Sequence, residues 1–576
     1  MTTPASADRI RQYVEEERER FAVPGCAVLV VADGEVVLAD GFGMRNLDRG
    51  LPVTAQTLFP IGSSTKTFTA ALCASLVDAG ILEWDQPIRS HLPGFRMQDP
   101  VATELLSTRD CLSHRSGLPR HDMLWVTGEG RLDRDGLIAA LADLEPSKPF
   151  RQTWQYNNLL YVTIGHLAGR LAGGSFEDAV RRLLLDPLGM QRTNFSVDET
   201  QSDADHSRPY VITAPATPAK EVPYASLDMP APAGAINSCV AEMTPWLLTL
   251  LGRGVDGRPP LLSEAVLQEL RTPTMPLPAQ SPVRVGRPVG YGLGLFVEDY
   301  RGFRVVHHGG NIDGFSSMVS AIPEAGLGVV VLTNLAATAL RDALPYRIYD
   351  LLLGLEPRPH GVTLHERQTA LEEGAAEAKR RQTTSSKPLA AVRPSADYVG
   401  TYRHAAYGDV VVRLVEDALR VDVHGLDEAR LEHRHLEVFD FWFSNAGADL
   451  SLPAQFTHDL AGEVDALRLT LEATVSPVRF DRRPDTGHLT DELLDSFAGS
   501  YFLGPVSAVV SRRGDRELLL SLDRGEPAPL RPVRGGSFAL GSAVIEFCAN
   551  GRLLTPYGDF LRQTIEEAEQ LGGELG

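Results

Sequence analysis

The chain has 576 residues, 43% of them hydrophobic and 23% charged, with a formal net charge of −20. That length suits two to four domains with ample material for buried cores, and the acidity argues against a nucleic-acid binder or a partner of acidic membranes. Its five cysteines, Cys26, Cys73, Cys111, Cys239 and Cys548, lie scattered with no Cys-x-x-Cys, which reads as reduced thiols, not a disulfide framework or a metal site.

The first region extends to about residue 357. Met1–Arg20 carries no apolar signal-peptide core, and no run approaches a membrane span, so the expected location is cytoplasmic. An amphipathic helix is predicted over Ala7–Phe21, then a strand pair, Cys26–Val31 and Glu35–Ala39, around an Ala-Asp-Gly turn. A helix opens at Ser63-Ser64-Thr65-Lys66, with Phe68, Leu72 and Leu76 at helical spacing. The middle is helical and looped. Its Pro/Ala-rich stretch Pro209–Gly234 reads as a long surface loop, either bordering a pocket through Tyr210, Tyr224 and Met229 or simply packed. Sheet-like runs return at Tyr291–Val297, Phe303–His308, Phe315–Ile322 and Gly328–Leu332, closed by an apolar helix, Leu344–Leu353. Strands at both ends with helices between predict one antiparallel sheet flanked by helices, its first and last strands adjacent.

Residues 358–394 read as a linker with a solvated helix over His365–Arg381. The remainder is strand-rich. Tyr398-Val399-Gly400-Thr401-Tyr402 and Phe497-Ala498-Gly499-Ser500-Tyr501 repeat one pattern, followed by alternating stretches such as Val410–Leu414 and Val506–Val510. Two similar small antiparallel β-barrels are expected, at 395–485 and 486–576. His433 and His435 sit in an alternating segment, Leu431–Phe443, where an exposed strand face is favoured over a metal site.

Ser63 and Lys66 stand three apart at a helix start, so hydroxyl and amine share a face. Serine is a poor nucleophile without a base beside it. A desolvated lysine near positive charge loses its proton readily; arginine does not. The chain otherwise favours arginine: its only lysines are Lys66, Lys148, Lys220, Lys379 and Lys387. A lysine at this spacing points to a proton acceptor, with Ser64 directed elsewhere.

Two further motifs follow. Trp154-Gln155-Tyr156-Asn157-Asn158 holds Tyr-x-Asn before an apolar helix, and Val306-His307-His308-Gly309-Gly310-Asn311 holds His-x-Gly at a strand end. Taken alone, Tyr156 reads equally as a helix-entry aromatic, and His308 as a satisfied core histidine. In this order and spacing the three motifs resemble the serine β-lactamase and penicillin-binding-protein superfamily, in the branch of class C β-lactamases, D-aminopeptidases and related esterases. Leu112-Ser113-His114-Arg115-Ser116-Gly117-Leu118-Pro119, Asp186-Pro187-Leu188-Gly189-Met190 and Gly290-Tyr291-Gly292-Leu293-Gly294 match that branch too.

The resemblance covers about residues 10–350. It implies a β-lactamase-like α/β domain followed by two lipocalin-like barrels. Ser63 would be the acylated nucleophile and Lys66 its proton acceptor. Tyr156 would share acid–base work, provided that nearby cations depress its phenol. Asn158 would position Lys66 and bond a substrate amide. His308 would orient substrate in place of a Lys-Thr-Gly lysine, Gly309 and Gly310 would let substrate approach the strand, and the amides of Ser63 and Asn311 would bind the oxyanion. No cofactor or metal is implied. The missing Lys-Thr-Gly weakens the case for dedicated β-lactam hydrolysis and favours a hydrolase of small peptides, amides or esters. Two alternatives stay open: a thioesterase or acyl transferase acting on a carrier-protein-bound peptide, and a non-catalytic binding protein. An oligomer is compatible with either.

Overall fold

A strand that is buried from end to end belongs in the middle of a sheet covered on both faces. Three strands of this chain meet that description: β1 (Gly25–Ala32), Phe315–Ile322 and Leu327–Thr333. In the structure, a computed structural model, they are the centre of an eight-stranded antiparallel sheet. Its other members are β2 (Glu35–Asn46), β3 (Leu51–Pro52), β4 (Arg287–Tyr291), β5 (Phe296–Tyr300) and β6 (Phe303–Ile312). With Phe315–Ile322 as β7 and Leu327–Thr333 as β8, the strand order is β3-β2-β1-β8-β7-β6-β5-β4. The first and last strands pair directly, from Cys26 opposite Thr333 to Ala32 opposite Leu327, as expected.

The alternation along β1 sorts its side chains. Cys26, Val28, Val30 and Ala32 join a core with Ile10 and Val14 of α1 (Pro4–Arg20). The same core takes in Leu344 and Ile348 of a late helix, Leu340–Leu352. The opposite face meets the helix Val240–Leu250, whose Leu247 crowds Gly328 so closely that a Cβ there would lie 2.7 Å from Leu247 Cγ. Between the sheet halves run α2 (Thr65–Asp78) and α3 (Asn158–Leu171).

The structure describes residues 4–563 except 129, 214–216, 278–284, 386–388, 446–447, 461, 473–474, 485–488, 515–516, 524, 535, 542 and 549. The expected boundary between the barrels, at 485/486, falls outside the described residues. Two compact units emerge: Met1–Ser386 with Ser444–Asp449 and Leu471–Ser476, and the remainder from Lys387 onward.

Several expectations are corrected. Tyr291–Val297 is not one strand: the chain turns through Gly292–Leu295 between β4 and β5, with Gly294 at φ +80°. A Cβ on Gly294 would stand 2.8 Å from Ala70 Cβ and 3.1 Å from the Lys66 carbonyl, so this turn presses on the helix that carries Lys66. Pro209–Gly234 is no open loop. It holds a short hairpin, Tyr210–Val211 with Lys220–Glu221, and a helical turn, Ala231–Gly234. The helix expected over His365–Arg381 spans His360–Ser385, and its start is packed, not solvated. Leu364 is buried, and Gln368 Oε1 accepts from the Ala339 amide at 3.0 Å.

The second unit contains two closed eight-stranded antiparallel barrels. The first runs from Gly400–His404 to Val478–Arg482 and closes at Tyr402 opposite Arg482. The second runs from Gly499–Leu503 to Gly558–Arg562 and closes at Tyr501 opposite Arg562. The repeated motif has one structural job in both. Tyr402 Oη donates to the Tyr398 carbonyl and Tyr501 Oη to the Phe497 carbonyl, each at 2.8 Å. Arg482 and Arg562 donate to the Val399 and Ala498 carbonyls at 2.7 and 2.5 Å. Such matched bonds mark a duplicated unit. The Leu431–Phe443 segment is a hairpin turning at Leu436, whose carbonyl meets His433 Nε2 at 3.0 Å.

Candidate active site

Ser63 sits in a helical turn, Gly62–Ser64, that runs straight into α2. Free amides at a helix start give this position a positive potential. Gly62 adopts φ +51°, and its backbone lies against β6: a Cβ would be 3.2 Å from the backbone N, C and O of Asn311. The turn is pinned from below. Ser64 Oγ donates to the His308 carbonyl at 3.1 Å and lies 2.8 Å from Ser317 Oγ, which donates to the Ile61 carbonyl at 2.6 Å. Ser64 therefore points away, as expected, and Ser63 is left half-buried at the surface of a buried run.

Lys66 is fully buried. Its Nζ is 3.1 Å from Ser63 Oγ and donates to the Ala233 carbonyl at 2.7 Å. Burial, then the positive charge of Arg120, drives its pKa far below the ordinary lysine value, with Asp122 opposing. A neutral Nζ offers a lone pair to the Ser63 hydroxyl.

Tyr156 hydrogen-bonds Ser63, but burial outweighs this bond and Arg120 and raises its pKa. The depression on which base work by this phenol depends does not occur; burial favours its protonated form. Its ring lies 4.9 Å from Lys66 Nζ and 5.4 Å from Arg120 Cζ. His114 packs 4.5 Å from the same ring, at φ +57°, and accepts from the Asn157 amide through Nδ1 at 3.0 Å.

His308 is also fully committed. Burial first, then Lys66, lowers its pKa well below the usual value. Its Nδ1 donates to the Gly309 carbonyl at 2.8 Å, which forces Nε2, 3.1 Å from Tyr291 Oη, to accept. Both ring nitrogens are engaged, and the imidazole holds the strand end. Gly310 differs from its expected role too. A Cβ there would fall 1.9 Å from the Ile61 carbonyl, so this glycine lets β6 lie against the Ser63 turn. Asn158 Nδ2 bonds both carboxylate oxygens of Asp122 at 3.0 and 3.1 Å, not Lys66, and its buried Oδ1 has no partner among the described residues.

Ser63, Tyr156, His308, Gly309 and Asn311 line one pocket of about 610 Å³; Gly310 and Asn158 stand behind it. Trp154 and Phe296 add an aromatic wall, Arg120 one rim, and Arg341, Asp342, Gln368, Leu371 and Glu372 the other. Arg120 and Asp122 escaped the sequence reading although they directly follow the Leu118-Pro119 segment. The pocket wall from His360–Ser385 was hidden because that helix looked like linker. Tyr224 lies elsewhere, in a separate cavity of about 770 Å³, with its Oη donating to the Ser207 carbonyl. Tyr210 Oη accepts from the Leu47 amide at 2.8 Å. Neither lines the Ser63 pocket.

Comparison with known proteins gives the family and the fold. The Beta-lactamase family matches residues 10–353, and a domain of unknown function, DUF3471, matches 379–482. The unguisins hydrolase ungD' of Aspergillus campestris is 28% identical over 470 residues, covering 77% of this chain and 86% of its own. The octameric penicillin-binding protein homologue of Pyrococcus abyssi superposes with TM-score 0.55 at 22% identity, covering 82% of this chain and 99% of its own. The D-amino acid amidase of Ochrobactrum anthropi SV3 does so with TM-score 0.50 at 22% identity, covering 60% and 97%. With the family match spanning more than half of the chain, this protein belongs to the Beta-lactamase family, serine hydrolases of the β-lactamase and penicillin-binding-protein fold.

Proposed function

We propose that this protein hydrolyses amide or ester bonds of small peptides, including those with D-residues, through an acyl-Ser63 intermediate. The observation that carries the reading is the buried Lys66 Nζ 3.1 Å from Ser63 Oγ. Lys66 takes the Ser63 proton as Oγ bonds to the substrate carbonyl carbon. The developing oxyanion is held by the amides of Ser63 and Asn311 at the helix start. Tyr156 gives its proton to the departing nitrogen or oxygen as that bond breaks, and the proton on Lys66 restores the phenol. Water then attacks the ester, its proton passing to Lys66, and Ser63 Oγ leaves protonated. A hydrolase and a D-amino acid amidase among the similar proteins support a hydrolase of amides.

Intact mass after incubation with a p-nitrophenyl ester tests this reading. An acyl adduct on the wild type, absent from Ser63→Ala, is expected. Equal masses with equal, slow nitrophenol release from both proteins would refute it.

A further inference from the structure

Arg120 stands at the rim of the Ser63 pocket, beside Trp154 and Tyr156. Its Nε donates to Asp122 Oδ2, and its Cζ lies 5.4 Å over the Tyr156 ring, so the fork is held at one edge and one face. Nη1 and Nη2 have no partner among the described residues, and the side chain is 47% exposed. Two carboxylates neighbour it, Asp122 and Glu472. Asp122 serves Arg120 and the Asn158 amide group, and Glu472 accepts from the Asp122 and Met123 amides at 2.6 and 3.1 Å through Oε1. The pocket's other guanidinium, Arg341, is turned to the Gly310 and Ser317 carbonyls.

A guanidinium keeps its charge at every working pH, and its two outer nitrogens match the two oxygens of a carboxylate. An arginine fixed through Nε, with both Nη groups free at a pocket mouth, is built to receive such a group. We infer that Arg120 is a specificity residue that binds a free carboxylate on the substrate, so the preferred substrates are peptides or amides carrying an anion near the reacting bond. This inference deepens the hydrolase reading and rests on it for the substrate class, but its test needs no turnover.

The probes are N-acetylalanine of either hand and the matching N-acetylalaninamides, titrated by calorimetry into the full-length protein. The wild type is expected to bind the acid of at least one hand about tenfold more tightly than its amide, the scale of one charge-assisted pair. Arg120→Gln should abolish this preference, and Arg120→Lys should keep part of it, with circular dichroism confirming that both fold. Equal binding of acid and amide, no binding of either acid, or a preference that survives in Arg120→Gln would overturn the inference. Failure of the Ser63 adduct experiment would instead count against the hydrolase reading, since these titrations are independent of acylation.

Discussion

Burial acts on charge, not on residue type, and at this site it prepares two groups for opposite tasks. Removing water from around Lys66 disfavours its ammonium and frees a lone pair. The same desolvation around Tyr156 disfavours phenolate and keeps a proton in hand. In the proposed mechanism these directions make Lys66 the base and Tyr156 the acid. The pH profile follows from these directions. As pH rises, kcat/KM should climb when Lys66 deprotonates, well below the ordinary lysine value of about 10.4. It should then hold a plateau and fall only where Tyr156 ionises, above the ordinary tyrosine value of about 10. Tyr156→Phe should lower kcat/KM by roughly 100-fold and remove the alkaline fall while leaving the acid limb. A pH–rate series on both proteins checks this; an alkaline fall that persists in Tyr156→Phe would assign that limb to another group.

At the scale of elements, the site is a contact between the turn 61–64 and strand β6, and two adjacent glycines show how tight it is. Gly310 has the Ile61 carbonyl where its Cβ would be, 1.9 Å away, and Ser317 Oγ at 2.6 Å. Gly309 has the end of a flexible side chain, Arg341 Nη1, at 3.2 Å and the Ser317 carbonyl oxygen at 3.3 Å, distances a small shift can relieve. Gly310→Ala should therefore push the strand from the nucleophile, destabilising the protein by about 2 kcal/mol or more and abolishing acylation. Gly309→Ala should cost less than about 1 kcal/mol and act mainly on substrate binding. Denaturant melts and acylation rates of the two variants give the comparison, and the reverse ranking would contradict the packing argument. This distinction was not legible in the sequence, where both glycines read as room for substrate. A glycine announces missing bulk, but only its tertiary neighbour says what occupies the space. The same holds for Asn158, whose partner Asp122 lies 36 positions away and carries no local signal. The Ser63–Lys66 pair was legible because helix geometry alone brings positions i and i+3 together. The sheet was legible because β1 and β8 are largely apolar on both faces, and the barrels because Tyr402 and Tyr501 repeat one bonded motif.

For the whole molecule, the consequence of this site is a stability penalty that depends on pH. The chain holds 55 lysines and arginines, of which five are lysines, and Lys66 is the one that is fully buried among the described residues. Unfolded, Lys66 is protonated below about pH 10.4. Folding between the depressed folded pKa and the unfolded one must strip that proton. In that window the unfolded state binds more protons, so stability rises with pH. The contribution is fully present above the unfolded value and is lost as pH falls toward the folded one. Lys66→Met removes this dependence. It also strands the Ala233 carbonyl, at about 1–3 kcal/mol, but that loss is the same at every pH. The expected result is a stability difference, variant minus wild type, that is more favourable to Lys66→Met at pH 7 than at pH 10, although the variant forms no acyl-enzyme. Denaturant midpoints of both proteins at the two pH values measure it. A difference that does not change with pH would mean that Lys66 titrates alike in the folded and unfolded chains, and a lysine that keeps its proton at pH 7 has no lone pair with which to activate Ser63.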